Sequence, residues 1–245
     1  MPIPQTIHYC WFGRGELTPL AKKCIASWRQ FFPDYEIKEW NEDNFDVNCI
    51  LYTAHAYKAG KYAFVSDYAR FWVLYHFGGV YFDTDVEVIK PMDDVIKTGA
   101  FMGFEQLGEY PAVNPGLGLA TEPESPLYQA VLDRFERVSF LTENGSLNPY
   151  SMIPMVTDLL KERGLTGNGA IEQVSGVNIY PPDWFNPFDD ATGRLRKTEN
   201  TRTIHWFAKS WMLAEPVWKT RTKRFFRRLI GTDRLSRIGQ FLKKR

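Results

Sequence analysis

Two aspartates, Asp83 and Asp85, stand one residue apart between the apolar segments Val80-Tyr-Phe82 and Val86-Glu-Val-Ile89. In a strand, residues i and i+2 point to one face, so both carboxylates are expected to aim at the same place. Like charges that close repel unless a cation lies between them, and oxygen ligands of this kind suit Mg2+ or Mn2+, the ions that hold diphosphates. The pair can equally be a solvated turn after a strand, and Asp-x-Asp alone does not decide between the two. Upstream, Asp67 and Arg70 are three apart and share a helix face. Phe64, Val65, Phe71, Trp72 and Leu74 around them predict burial, which is costly for charges unless they are paired or bound to a ligand. Either the two form a structural ion pair, or Asp67 accepts from hydroxyls while Arg70 meets a phosphate or sugar oxygen. Position favours the second, because this helix runs straight into the acidic pair. Far downstream, His205 follows Thr203-Ile204. A neutral imidazole there can complete a metal site begun by the two aspartates, or be a satisfied core residue.

The elements that must position these groups can be read from hydrophobic periodicity. Strands are predicted at residues 6–11, 35–40, 80–82, 86–89, 100–105, 116–120, 171–174, 177–180 and 203–206. Helices are predicted at 19–32, 50–59, 63–77, 127–140 and 150–164, the third apolar on almost every side and stopped by Gly78-Gly79. Alternation of the two kinds argues for an α/β sandwich with a mixed sheet. At 245 residues the chain can bury one sizeable core. Its 16% aromatic content, with 8 Trp and 12 Tyr, serves that core first and can also line sugar and base pockets.

The charge is unevenly placed. Residues 219–245 hold eleven Lys or Arg against one acid, a charge of +10 that leaves −9 for the rest of a chain whose formal net charge is +1. An acidic body over residues 1–217 is thus followed by a basic tail over 218–245. Phe225, Phe226, Leu229 and Ile230, then Leu235, Ile238 and Leu242, keep helical spacing among the charges. Two basic amphipathic helices suit an anionic membrane surface; a solvated tail or a nucleic-acid contact are the alternatives, and nucleic acid is not the expected partner. Cys10, Cys24 and Cys49 form no CxxC or zinc spacing and are expected to be reduced. Without the segments of a signal peptide or a bilayer-length apolar run, the protein is expected in the cytoplasm, peripheral at the inner face of the cell membrane.

Longer blocks carry a resemblance. Ile7-His-Tyr-Cys-Trp-Phe-Gly13, Ser27-Trp28, Pro33-Asp-Tyr-Glu-Ile-Lys-Glu-Trp-Asn41 and the ordered run from Ala63 to Asp85 resemble the DXD-containing sugar transferases of glycosyltransferase family 32, as does His205 to Trp211. The resemblance implies a GT-A-type α/β fold and a metal-dependent, retaining hexosyltransferase that uses a nucleotide-diphosphate sugar, with Mn2+ or Mg2+ as cofactor. UDP is the expected nucleotide and GDP-mannose the alternative; the acceptor is expected to be a saccharide, lipid-linked, in capsular or surface polysaccharide synthesis. It further implies Asp85 as a direct metal ligand and Asp83 on ribose or metal-bound water, with His205 closing the site. Asp67 and Arg70 would hold donor-sugar hydroxyls and the diphosphate side. Ile7, His8 and Trp11 would line the base pocket, Asn114 would meet the donor sugar, and Ser210 and Trp211 would close over the diphosphate. Two rival classes are a metal-dependent phospho- or nucleotidyltransferase and a non-enzymatic membrane- or nucleic-acid-binding module. The first should show a phosphate-cradling Gly-rich loop or a third nearby acid, and the second leaves Asp67, Arg70, Asp83 and Asp85 unexplained.

Overall fold

The computed structural model describes residues 2–107, 110–148, 152–208 and 224. In chain order its elements are β1 (Thr6–Cys10), α1 (Pro19–Phe31), β2 (Glu36–Trp40), α2 (Leu51–Lys58), α3 (Tyr62–Phe77), β3 (Gly79–Tyr81) and β4 (Val86–Val88). The short helix α4 (Asp93–Ile96) precedes β5 (Phe101–Leu107) and β6 (Tyr110–Val113), then a 3-10 turn over Pro115–Leu117 and β7 (Leu119–Thr121). Beyond these lie α5 (Pro126–Arg137), α6 (Met152–Glu162), β8 (Glu172–Val174), β9 (Val177–Tyr180), α7 (Pro182–Phe185), β10 (Phe188–Asp189), β11 (Arg194–Leu195) and β12 (Thr203–His205).

The central sheet runs β2-β1-β3-β7-β5-β9-β8, with β6 paired to β5. β1 is parallel to both β2 and β3, and β7 turns the direction. A mixed sheet with helices on both faces is the arrangement the resemblance implied. One layer of core gathers around Trp28, Phe82, Phe101 and Phe185, the other around Phe71, Tyr128, Phe135 and Val156. α1 forms because Thr18 caps it, its hydroxyl accepting from Ala21 N at 3.1 Å, and Pro19 stands at its first position. It buries Ala21, Cys24, Ile25 and Trp28 as one stripe. α3 buries Val65, Ala69, Phe71, Val73 and Leu74, which fits a helix apolar nearly all round. It stops at Gly78 and Gly79, whose φ angles of 62° and 98° belong to glycine, and a Cβ on Gly79 would lie 2.6 Å from Thr6 O.

Two sequence expectations change. Residues 116–120 are not one strand: Pro115–Leu117 coils as a 3-10 turn capped by the Asn114 side chain, and the strand begins only at Leu119. The acidic pair is not in extended chain either. Asp83 O accepts from Val86 N at 2.9 Å, so Asp83–Val86 is a tight turn between β3 and β4. Among the described residues no helix is long and apolar enough to cross a membrane. The basic tail, Arg224 apart, lies outside the described residues.

Candidate active site

β1 leads through α1 to β2 on one side, whereas β3 joins β1 on the other. The chain direction therefore splits between β1 and β3, and in open α/β sheets ligands bind in the crevice at the carboxyl ends of the strands at such a point. Trp11 follows β1 at that end of the strand, half-buried, with its backbone N–H on Trp40 O at 2.8 Å and its indole N–H on Gly15 O at 2.6 Å. Asp83 follows β3 by two residues.

Asp83 is held on two sides. Arg70, only 2% exposed, places Nη1 3.2 Å from Asp83 Oδ2 and Nη2 3.1 Å from Oδ1, while Tyr81 donates its hydroxyl to Oδ1 at 3.1 Å. The same guanidinium reaches Asp67 Oδ1 at 2.9 Å and donates Nε–H to Ser66 O at 3.1 Å. The structural ion pair is thus present, and it is shared with Asp83. Burial lifts Asp67 to about 6 despite Arg70, and burial likewise lifts Asp83 against the pull of the same cation.

Asp85 is fixed by the opposite strand. β12 pairs antiparallel with β4, with His205 across from Val86. Trp206 N–H then donates to Asp85 O at 3.0 Å, and Ala208 N–H donates to Asp85 Oδ2 at 2.7 Å. His205 Nε2 stands 3.1 Å from Asp85 Oδ1. Burial alone would raise Asp85, but His205 and the Ala208 N–H hold it below the usual carboxylate range. Burial alone would depress His205, and the Asp85 carboxylate outweighs it and raises the imidazole.

Asp83, Asp85 and His205 each bring a ligand atom within 4.8 Å of the others. Two carboxylates with one imidazole form a donor set acceptable to Mn2+. His205 Nδ1 is buried and has no hydrogen-bond partner among the described residues. As the side chains stand, Nε2 carries its proton toward Asp85; a cation between the carboxylates would take the place of that proton and leave the ring's other one on Nδ1. The side chains present therefore fit a divalent cation.

Other expected residues fall differently. Ile7 is wholly buried in the core. His8 is 2% exposed, with Nε2 against Gly78 O at 3.0 Å and Nδ1 accepting from Trp40 Nε1 at 3.0 Å. Neither lines the crevice; a strand covered on both faces turns every side chain inward. Burial lowers His8 to about 4. Since the unfolded imidazole titrates near 6.5, its contribution to stability is complete above that value and declines as pH falls toward 4. Urea unfolding at pH 7 and pH 5 should reveal that decline, and His8→Gln should flatten it.

Asn114 is buried beside the site rather than open to it. Its Oδ1 accepts from Gly116 N at 2.7 Å and its Nδ2 donates to Glu105 Oε2 at 2.6 Å. Gly116 in turn lies against Asp83 and Arg70. Glu105 and Gly116 were not among the expected residues. An acid within the apolar run Ala100–Glu105 was the one visible signal for the first. Ser210 and Trp211 lie outside the described residues.

Part of the chain is similar in sequence to known glycosyltransferases. Residues 19–102 match the glycosyltransferase sugar-binding region containing DXD motif, a span that includes Asp67, Arg70, Asp83 and Asp85. The chain carries the sugar-binding region of the DXD glycosyltransferases. Its DXD is the Asp83–Asp85 turn, and His205 reaches it from outside the matched span. A fission-yeast relative, inositol phosphoceramide mannosyltransferase 1 of Schizosaccharomyces pombe (strain 972), is 30% identical over 145 residues. That match takes in 53% of this chain and 42% of the relative, less than half of its length. Among solved structures, the PaToxG glycosyltransferase is similar with a TM-score of 0.49 at 18% identity, covering 66% of this chain and 70% of that one. A glycosyltransferase involved in glycosylation of the major capsid of PBCV-1 gives a TM-score of 0.49 at 14% identity, covering 84% and 95%.

Proposed function

We propose that the protein transfers a hexose from a nucleotide-diphosphate sugar, UDP-linked, to a saccharide acceptor with the help of a divalent cation. The observation that carries this reading is the meeting, at the carboxyl end of β3, of His205 with Asp83 and Asp85, the two acids of the matched DXD sugar-binding region. A third acid close by, Glu105, does not revive the phosphotransferase reading, because that acid is tied to Asn114.

The reaction must let a diphosphate leave while positive charge grows at the anomeric carbon. A bound cation held by Asp83, Asp85 and His205 would supply counter-charge for the leaving group. Arg70 contributes by position: it is buried, with donors on Ser66, Asp67 and Asp83, and so fixes the direction of both carboxylates. Asp67 remains partly open, with 16% of its side chain exposed, and its carboxylate can accept from a sugar hydroxyl. Trp11 offers an indole face at the end of β1 for the base. Retention of configuration, with attack on the face the diphosphate leaves, is part of this reading.

The relative's name specifies a lipid as acceptor for that protein. That supports a lipid-linked glycan acceptor here, in capsular or surface-polysaccharide assembly. The basic residues 219–245 would hold the enzyme at an anionic membrane surface on the cytoplasmic side, beside a catalytic body over residues 1–217.

Donor hydrolysis across UDP- and GDP-sugars, with Mn2+, Mg2+ or EDTA, tests the core of the reading. One nucleotide should be released in a metal-dependent way, and Asp85→Asn should lower that rate at least about 100-fold, the scale of losing one preorganised charge contact. Release that is indifferent to EDTA and to Asp85→Asn would overturn it.

A further inference from the structure

We propose that Ser27 and Trp28, neighbours on α1, are positioning residues that set the separation between the Asp83–Asp85 turn and His205. This rests on the reading of those three residues as the cation site. Strand β4 has a β partner, β12, along one edge. Val86 faces His205 and Val88 faces Thr203 across that ladder, with Glu87 between them opposite Ile204. Along its other edge β4 meets α1 instead of a strand. Trp28 Nε1–H donates to Val86 O at 2.8 Å, and Val88 N–H donates to Ser27 Oγ at 3.0 Å. Two consecutive side chains thus supply the donor and the acceptor that a third strand would have given.

Both groups are themselves fixed. Ser27 donates its hydroxyl proton to Cys24 O at 2.6 Å, which leaves a lone pair for Val88. Trp28 is wholly buried, and its ring packs against Phe82 at a centroid distance of 5.6 Å and Tyr9 at 5.7 Å. Phe82 immediately precedes Asp83 and Val86 immediately follows Asp85, so one indole grips the acidic turn where the chain enters it and where it leaves. A ladder of three residues on each side has little stability of its own. Val86 and Val88 are buried, so losing either side-chain partner strands a polar backbone group that water cannot reach. The strand that seats Asp85 would then shift, and His205, registered on it, would move relative to Asp83.

The test uses the full chain with Ser27→Ala, Trp28→Phe and Ser27→Thr, the last keeping the hydroxyl. Mn2+ binding is followed by electron paramagnetic resonance, and the His205 ring resonances are recorded in metal-free protein at fixed pH. Ser27→Ala and Trp28→Phe should each weaken Mn2+ binding about tenfold, the scale for losing a group that orients a ligand. Both should displace the His205 resonances, while Ser27→Thr should match the parent. Parent-like affinity and unmoved resonances in both variants, whatever their unfolding midpoints, would overturn the proposal. If Trp28→Phe fails to fold, Ser27→Ala, at a half-buried position, decides the matter. Failure of the parent itself to bind Mn2+ would remove the cation reading. The positioning role would then be judged by the His205 resonances alone, which require no metal.

Discussion

Replacing Arg70 by methionine should lower the unfolding free energy by about 3 kcal/mol and abolish transfer. The guanidinium is the cation that serves both Asp67 and Asp83, with contacts of 2.9 Å to the first and 3.1 Å to the second. Without it two mostly buried carboxylates lose the cation they share, and breaking such a pair is far costlier than never having built it. Burial already lifts both acids; removal of the cation would lift them further, so the loss should shrink as pH is lowered and the acids take up protons. Urea unfolding of parent and Arg70→Met at pH 7 and pH 5 measures this. Adding Asp67→Leu separates fold from function. An apolar pair in place of an ion pair is often neutral for stability, so the double variant should recover much of the lost free energy. It should recover no activity, because Asp83 would still lack two of the contacts that aim it. Appreciable donor hydrolysis by Arg70→Met would show that Asp83 needs no such support.

How much of this was legible in the sequence depends on the range over which each signal acts. The apolar stripe of α1, the all-round apolar α3 and the Gly78-Gly79 stop are local, and their elements fall within a few residues of where periodicity puts them. The convergence of Asp83 and Asp85 was legible for the wrong reason. A tight turn, not strand alternation, brings them together, and the backbone bond from Val86 N to Asp83 O is invisible to a pattern of apolar residues. His205 could be read as the end of a strand, but its partner β4 lies more than a hundred residues earlier, and the pairing is a property of the fold. Ile7 and His8 were misplaced because β1 is covered on both faces; Trp11, past its end, is only half-buried. Short pieces such as α4, α7, β10 and β11 span at most four residues each, too few to establish a period. Glu105, Asn114 and Gly116 come together through the β5–β6 register and the turn after it, which puts Glu105 opposite Ala112 and folds Asn114 back on both neighbours.

That last group yields the second large effect. Gly116→Ala should lower kcat/KM for donor hydrolysis about 100-fold, the scale expected when reacting groups are displaced by about 1 Å. A Cβ at this position would lie 2.5 Å from Asp83 Oδ2, 3.0 Å from Asn114 Oδ1 and 3.3 Å from Arg70 Nη1. The backbone of Gly116 is not in the left-handed region, so the penalty is one of space alone. Ordinarily a flexible side chain would yield. Here each neighbour is pinned: Asp83 by Arg70 and Tyr81, Asn114 by Glu105 and the Gly116 N–H, and Arg70 by Ser66, Asp67 and Asp83. The overlap is tightest with Asp83 Oδ2, so that carboxylate is forced off its contacts and away from the direction it shares with Asp85. Mn2+ affinity should therefore fall together with kcat, while the unfolding midpoint changes far less than in Arg70→Met. If G116A hydrolyses donor like the parent, the 3-10 turn moves as a body, and the fixed orientation of Asp83 is not what the reaction depends on.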